Sequence, residues 1–398
     1  QYKNYMPEKK SVTKILWAVI IRELHRLVSR PIYSFCIIIA PLISYLFLLT
    51  LMNEGLPEEI PTAVVDLAHS AASRNFIRQL DAMSLTQVTE QPNSFTEARK
   101  SLQKGEIYGF LVIPESFEAK AMAGRRPEIS FYTNNAYYIP ASLLYKNFKT
   151  MSVLASGAIV QQTLLAHGEY GYEIMPQLQP VPTAVHELGN PWISYSVYLN
   201  NTFIPGMLQI MILLTTVFSI GTEIKHGTSR EWLARSHNSV VLAITGKLLP
   251  QTILFFIMGA LLQSMLYGYW HFPLHNGIWP MLVAMFLLVL ASQSFGVIMM
   301  SIAPSLRIGL SIAALFGIIS ISITGFSFPV PAMYPPFQLL SNIFPLRHYF
   351  LIYADQALNG IPLYYSRMHY LYLFLFAIAS LPLLKRLKTA LQNQVYVP

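Results

Sequence analysis

The stretch "MLQIMILLTTVFSIGTEIKHGTSREWL" (Met207–Leu233) decides how the chain is read. An apolar run of membrane grade ends in a short segment where Glu223, Lys225, His226, Arg230 and Glu231 surround a Gly-Thr pair. Apolar runs of about twenty residues, enough to cross roughly 30 Å of hydrocarbon, recur along the chain. Of its 398 residues, 54% are hydrophobic and 12% charged, against about a quarter charged in a soluble domain. The sequence is that of an integral membrane protein.

The runs place six spans at about Ile32–Met52, Phe203–Gly221, Leu248–Gly268, Ile278–Ala303, Ile308–Phe328 and Met368–Leu384. Span one and spans three to six, so drawn, hold no Asp, Glu, Lys or Arg. A gradient-driven carrier needs ionisable groups on its pathway, so the energy for any transport must enter from elsewhere. Lys and Arg collect before span one, between spans two and three, at Arg307 and after span six, while the short connection 269–277 has none. That bias puts both termini in the cytoplasm and the long insert after span one outside. About thirty mixed, charged residues precede the first apolar run, which reads as a retained span rather than a cleaved signal peptide.

The formal charge of +8 is unevenly spread. Between Asn53 and Tyr195 stand 10 Lys/Arg against 14 Asp/Glu, so the excess of positive charge belongs to the membrane part. There it reports topology and lipid contact, which argues against nucleic acid as a partner. Cys36, the single cysteine, excludes an intrachain disulfide.

These features divide the chain. Residues 1–31 form a cytoplasmic N-terminus and an interfacial helix, 32–52 the first span, and 53–195 an extracytoplasmic domain. Residues 196–390 carry spans two to six, with a cytoplasmic loop at 222–240 and an outer re-entrant region at 329–367, and 391–398 are a cytoplasmic tail. In "SVTKILWAVIIRELHRLVSRP" (11–31), Ile15, Leu16, Val19 and Ile20 share a helical face, which leaves Arg22, Glu23 and Arg26 for water and headgroups. In the insert, the strand candidates "TAVVDL", "LTQVTE", "IYGFLVIP" and "EISFYTNN" alternate with helical stretches, one opening with the capping box Ser94–Glu97 and the last running from about Ile139 to Ala166. That rhythm is an α/β or α+β domain. The fold class is therefore an α-helical polytopic membrane domain with an inserted extracytoplasmic domain.

Motifs for chemistry are scarce. No G-x-x-x-x-G-K-[ST] phosphate loop, H-E-x-x-H pair or Cys/His cluster occurs. His186-Glu187 sits in a Pro-rich stretch, as a surface pair rather than a metal site, and Asp66 beside Ser70 and Ser73 reads as a turn carboxylate rather than a nucleophile. No enzyme active site and no bound cofactor are expected. In "TGFSFPVPAMYPP" (324–336) the prolines end a helix, yet the residues that follow are too apolar for a free loop. Irregular backbone at membrane depth needs cover from protein or a water-filled cavity, so this region reads as a re-entrant helical pair. Trp192, Tyr195, Tyr198, Tyr267, Trp270, Trp279, Tyr364 and Tyr365 form an interfacial belt.

Five pieces together resemble the permease subunit of an ABC-2 type exporter, in the group with a large external domain between spans one and two. They are "IIRELHRLVSRP" (20–31), "PTAVVDLAHSAASR" (61–74), "EARKSLQKGEIYGFLVIPESFEAKAMAG" (97–124), "GTEIKHGTSREWL" (221–233) and "TGFSFPVPAMYPPFQLLSNIFPLRHYF" (324–350). The resemblance implies the type V exporter-like fold in a bacterial inner membrane, working as a pair of permease copies or homologues. It implies a separate ATP-binding-cassette subunit that carries ATP and magnesium, with a periplasmic adaptor or outer-membrane channel as further partners. ATPase coupling would fall to Glu223, Lys225, Gly227, Thr228, Arg230, Glu231 and Trp232, and the exit region to Gly325, Phe326, Pro329, Pro331, Pro335 and Pro345. From the residues themselves, Gly227 permits a chain reversal, Thr228 or Ser229 can cap the helix that follows, and Glu223 needs a partner. The cargo expected across spans without fixed charge is amphipathic or lipid-like. The rival reading is a membrane anchor or receptor whose external domain recruits periplasmic partners.

Overall fold

The computed structural model describes residues 11–53, 55–123, 125, 127–166, 189–190 and 193–393. The sequence-predicted pair His186-Glu187, Trp192 and most of the Pro-rich return lie outside them. The chain divides into one unit of Gln1–Gly55 with Glu187–Pro398 and a second of Leu56–His186.

Along the chain, helix α1 (Val12–Ser29) precedes α2 (Pro31–Leu51), the first apolar helix, in which Phe35–Ile39 widen into a π turn. The second unit then runs β1 (Ile60–Asp66), α3 (Ala71–Asp81), β2 (Thr86–Glu90), α4 (Phe95–Lys104), β3 (Gly109–Ile113), α5 (Phe117–Met122), β4 (Ser130–Thr133) and α6 (Tyr138–Ala166). The first unit resumes with α7 (Tyr195–Lys225), α8 (Ser229–Arg235), α9 (Val240–Tyr269), α10 (Ile278–Ile302) and α11 (Leu306–Ile323). It ends in α12 (Pro335–Ser341), α13 (Pro345–Tyr353), α14 (Leu363–Ile378) and α15 (Leu384–Asn393). Six helical segments among the described residues are long and apolar enough to cross a membrane.

The second unit has the expected α/β rhythm. Its sheet has the order β2-β1-β3-β4, parallel except for β4. Alternation along β1 sends Ile60 and Val64 to one face and Ala63 and Val65 to the other, and helices bury both. Asp66 is a turn carboxylate: it accepts from the Ala68 and His69 amides at 3.1 Å each and from Ser73 Oγ at 2.7 Å. Half of the Ser94 capping box forms as expected. Ser94 Oγ accepts from the Glu97 amide, but Glu97 reaches the Asn93 amide instead of that of Ser94.

In the first unit the spans depart from the apolar runs mainly at their ends. Helix α9 starts eight residues before the expected Leu248, so Lys247 lies inside a spanning helix. The expectation of charge-free spans fails there, and also at Arg307 in α11 and Arg367 in α14. Span six is shifted from Met368–Leu384: α14 starts at Leu363 and ends at Ile378, a 3-10 turn follows at Leu381–Leu383, and α15 takes up the first residues assigned to the tail. Leu384, Leu387 and Leu391 of α15 are buried, at the spacing of an amphipathic helix.

Glycines bring α7 and α11 close together. A Cβ at Gly317 would stand 2.5 Å from Ile210 Cγ1, and one at Gly309 2.9 Å from Val217 Cγ1. Small residues let helix backbones approach where lipid removes the hydrophobic drive for association. Gly317→Val is therefore expected to destabilise the protein by about 1–3 kcal/mol through overpacking. A fall in the thermal unfolding midpoint of the detergent-purified protein checks this.

Candidate functional site

At the last turn of α7 the Glu223 carboxylate is fully buried and four groups converge on it. Arg22 of α1 grips it in a fork, Nη1 to Oε1 at 2.7 Å and Nη2 to Oε2 at 3.0 Å. Arg26, one helical turn on along α1, also donates to Oε1. Lys247 of α9 donates from Nζ to Glu223 Oε1 and to Glu23 Oε2, both at 2.8 Å. Thr228, beyond the end of α7, donates its hydroxyl to Glu223 Oε2. Gln251, one turn past Lys247, donates to Glu23 Oε1 at 3.1 Å. Arg22, Arg26 and Lys247 thus face Glu23 and Glu223, three cations against two carboxylates.

This arrangement corrects the reading of α1. Arg22, Glu23 and Arg26 turn inward to Glu223 and Lys247 rather than out to water. The exposed stripe is Trp17, Ile21, Leu24 and Val28. Arg22 and Arg26 share a face at i, i+4 spacing, and a buried carboxylate attracts that face more strongly than water does. Burial works against the Arg22 charge, but its hydrogen bond to Glu223 and that carboxylate's field outweigh it and raise its pKa above the ordinary value.

The segment after Glu223 hangs from this cluster. Gly227 adopts φ +67°, the left-handed conformation that suits glycine, and the Thr228 amide returns to the Glu223 carbonyl at 2.9 Å. Thr228 precedes α8 without capping it, because its hydroxyl is engaged by Glu223. Trp232, expected among the docking residues, is a core residue: its ring is fully buried with Lys247 Nζ 4.6 Å from the centroid. Lys225, Arg230 and Glu231 are exposed, and Glu231 pairs with Arg235 at 2.8 Å. The structure therefore gathers Arg22, Glu23, Arg26, Glu223, Thr228 and Trp232 at one site and leaves Lys225, Arg230 and Glu231 on the surface above it.

The residues expected at the exit form a separate assembly. Gly325 takes φ +103° after α11, and the buried Phe326 accepts from the Tyr198 hydroxyl at 2.5 Å through its carbonyl. Pro329 precedes a 3-10 turn at Val330–Ala332, while Pro335 and Pro345 open α12 and α13. The Pro331 carbonyl accepts from Gln338 Nε2 at 3.3 Å. His348 of α13 is buried, with Nε2 3.0 Å from the Asn342 carbonyl and Nδ1 3.3 Å from Nδ1 of His369. Burial pushes its pKa down from 6.5 to about 4, against the pull of the Asn342 carbonyl.

A family model described as ABC-2 family transporter protein matches residues 31–384. The chain belongs to the ABC-2 transporter family. No curated protein matches it. The family makes the chain a multi-pass membrane component of a transporter and implies an ATP-binding-cassette ATPase as its partner. The match leaves out α1 and nearly all of α15.

Lys247, Gln251 and α15 escaped the sequence reading. Lys247 follows Gly246 at the start of an apolar run and resembles a loop cation, and Gln251 lies within that run. The Leu384, Leu387, Leu391 spacing, interleaved with Lys385, Arg386 and Lys388, carried the signal for α15.

Glu223→Ala is expected to cost about 3–5 kcal/mol, because three cations lose a shared buried carboxylate. Chemical unfolding of the purified protein measures it. A second expectation concerns pH. The folded chain holds His348 neutral down to about 4, whereas the unfolded chain takes up a proton near 6.5. Stability from this group is therefore complete above about 6.5 and is lost as pH falls toward 4. His348→Gln should flatten the pH dependence of the unfolding midpoint across that window.

Proposed function

We propose that this chain is the membrane half of an ATP-driven exporter and takes up work through the segment Glu223–Leu233. The observation that carries this reading is the suspension of α8. A glycine turn and a buried carboxylate shared by α1 and α9 tie this short, surface-exposed helix to the end of a spanning helix. A push on α8 then has a stiff route into the bundle. ATP binding and hydrolysis on the partner subunit shift the bundle between two access states through their differential contacts with it. Two such chains, or this chain and a homologue, enclose the path in a bacterial inner membrane, with the Leu56–His186 unit outside it.

The cargo is amphipathic or lipid-like. A cavity of about 520 Å³ among α2, α7 and α11 is walled by apolar side chains such as Leu214, Phe218 and Leu310, with Thr215 and Ser311 as polar members. Few fixed charges line such a wall, so strongly charged soluble compounds gain little there.

Purification from native membranes in mild detergent tests the reading. An ATP-binding-cassette subunit is expected to accompany the chain and to be lost on Glu231→Arg, an exposed change that leaves the core intact. If extracytoplasmic proteins co-purify with the wild-type chain and no ATPase does, the chain is an anchor and the proposal fails.

A further inference from the structure

The last carbonyls of a helix lack partners within it, and at the end of α15 they find them on α8. Ser229 Oγ donates to the Leu391 carbonyl at 2.6 Å, and Arg230 Nε donates to the Gln392 carbonyl at 2.9 Å. Below these bonds Leu384, Leu387 and Leu391 share one buried cluster with Trp232 and Leu233 of α8 and with Val240 and Ile244 of α9. At the opposite end, Arg386 Nη2 donates to the Ile302 carbonyl at the close of α10, at 3.3 Å. Just before α15, the Ser380 amide donates to Ser294 Oγ of α10 at 3.0 Å. One continuous set of contacts therefore runs from α8 through α15 to α10 and, through the chain itself, to α14.

We infer that α15 is a positioning strut that holds α8 and carries its movement to spans four and six, with Ser229 and Leu391 as the residues that clamp the two helices. The inference rests on α8 being the docking helix for an ATPase. It adds a second route, because the Glu223 cluster joins α8 only to α1, α7 and α9. The clamp is built for transmission. Its hydroxyl-to-carbonyl bond is short and buried, so water does not compete for it, and the leucine ridge keeps α15 from sliding along α8. Helix α7 links α8 to span four as well, but the α15 route continues through the chain into span six.

The test uses the full chain reconstituted in liposomes with its ATP-binding subunit. Its first readout is the part of ATP hydrolysis that depends on the permease. Ser229→Ala combined with Leu391→Ala should leave the amount of co-purified ATPase unchanged and lower that rate at least about fivefold, the lower bound of ordinary coupling between sites. Ser229→Thr alone, which keeps the hydroxyl, should hold the wild-type rate. Spin labels at Arg235→Cys and Lys385→Cys, in a Cys36→Ser background, should keep one distance in the nucleotide-free and ADP–vanadate-trapped complexes, because α8 and α15 move together. An unchanged hydrolysis rate in the double variant, or a label distance that changes on trapping, overturns the inference. If in that case Glu231→Arg still abolishes co-purification, the docking role of α8 stands and only the strut falls. If no ATPase accompanies the wild-type chain, both fall.

Discussion

A carboxylate without water needs charge brought to it, and Glu223 imposes that need at the end of a spanning helix. Removing a carboxylate from water costs several kcal/mol even after relaxation, so the structure around Glu223 is a set of answers to that cost. Helix α1 turns its arginines inward, α9 carries a lysine into an otherwise uncharged helix, and Thr228 gives up its capping role. Each answer fixes an element in place. Three helices and the turn into α8 meet there, so electrostatics fixes the start of α8 while Trp232 and Leu233 pack the rest of it into the core.

The limits of the sequence reading follow from the same physics. Spans were legible because hydrocarbon leaves few alternatives to a run of apolar helix, and the strands of the inserted unit were legible because alternation has one period. Glu223 itself was legible as a group in need of a partner, and Gly227 as a turn. The inward face of α1 was not. Its two faces both mix apolar and polar residues, so nothing local says whether Arg22 meets water or a carboxylate two hundred positions away. Lys247 was illegible for the same reason, since its partners come from α1 and α7. Helix α15 hid behind the apolar end of span six, where hydropathy cannot separate a helix that crosses from one that turns and packs.

The two regions singled out for function have different characters. The Glu223 site is ionic and rigid, with every carboxylate oxygen engaged. The assembly around Gly325 and His348 is built from proline-started short helices, carbonyl contacts and one histidine pair. Arg347 of α13 ties this region to the end of α11 by donating to the Thr324 carbonyl at 3.0 Å. The seam between α7 and α11 runs from the first region toward the second, and glycines set its close fit.

The charge balance at Glu223 has a further consequence. Three cations against two carboxylates leave one positive charge over, fixed at a single depth by hydrogen bonds. A leaflet rich in anionic lipid attracts such a charge by about 1 kcal/mol, while the hydrocarbon centre repels it. A surplus charge so held would act as a float line for the bundle, and lipid composition on that face would become a variable the protein could feel.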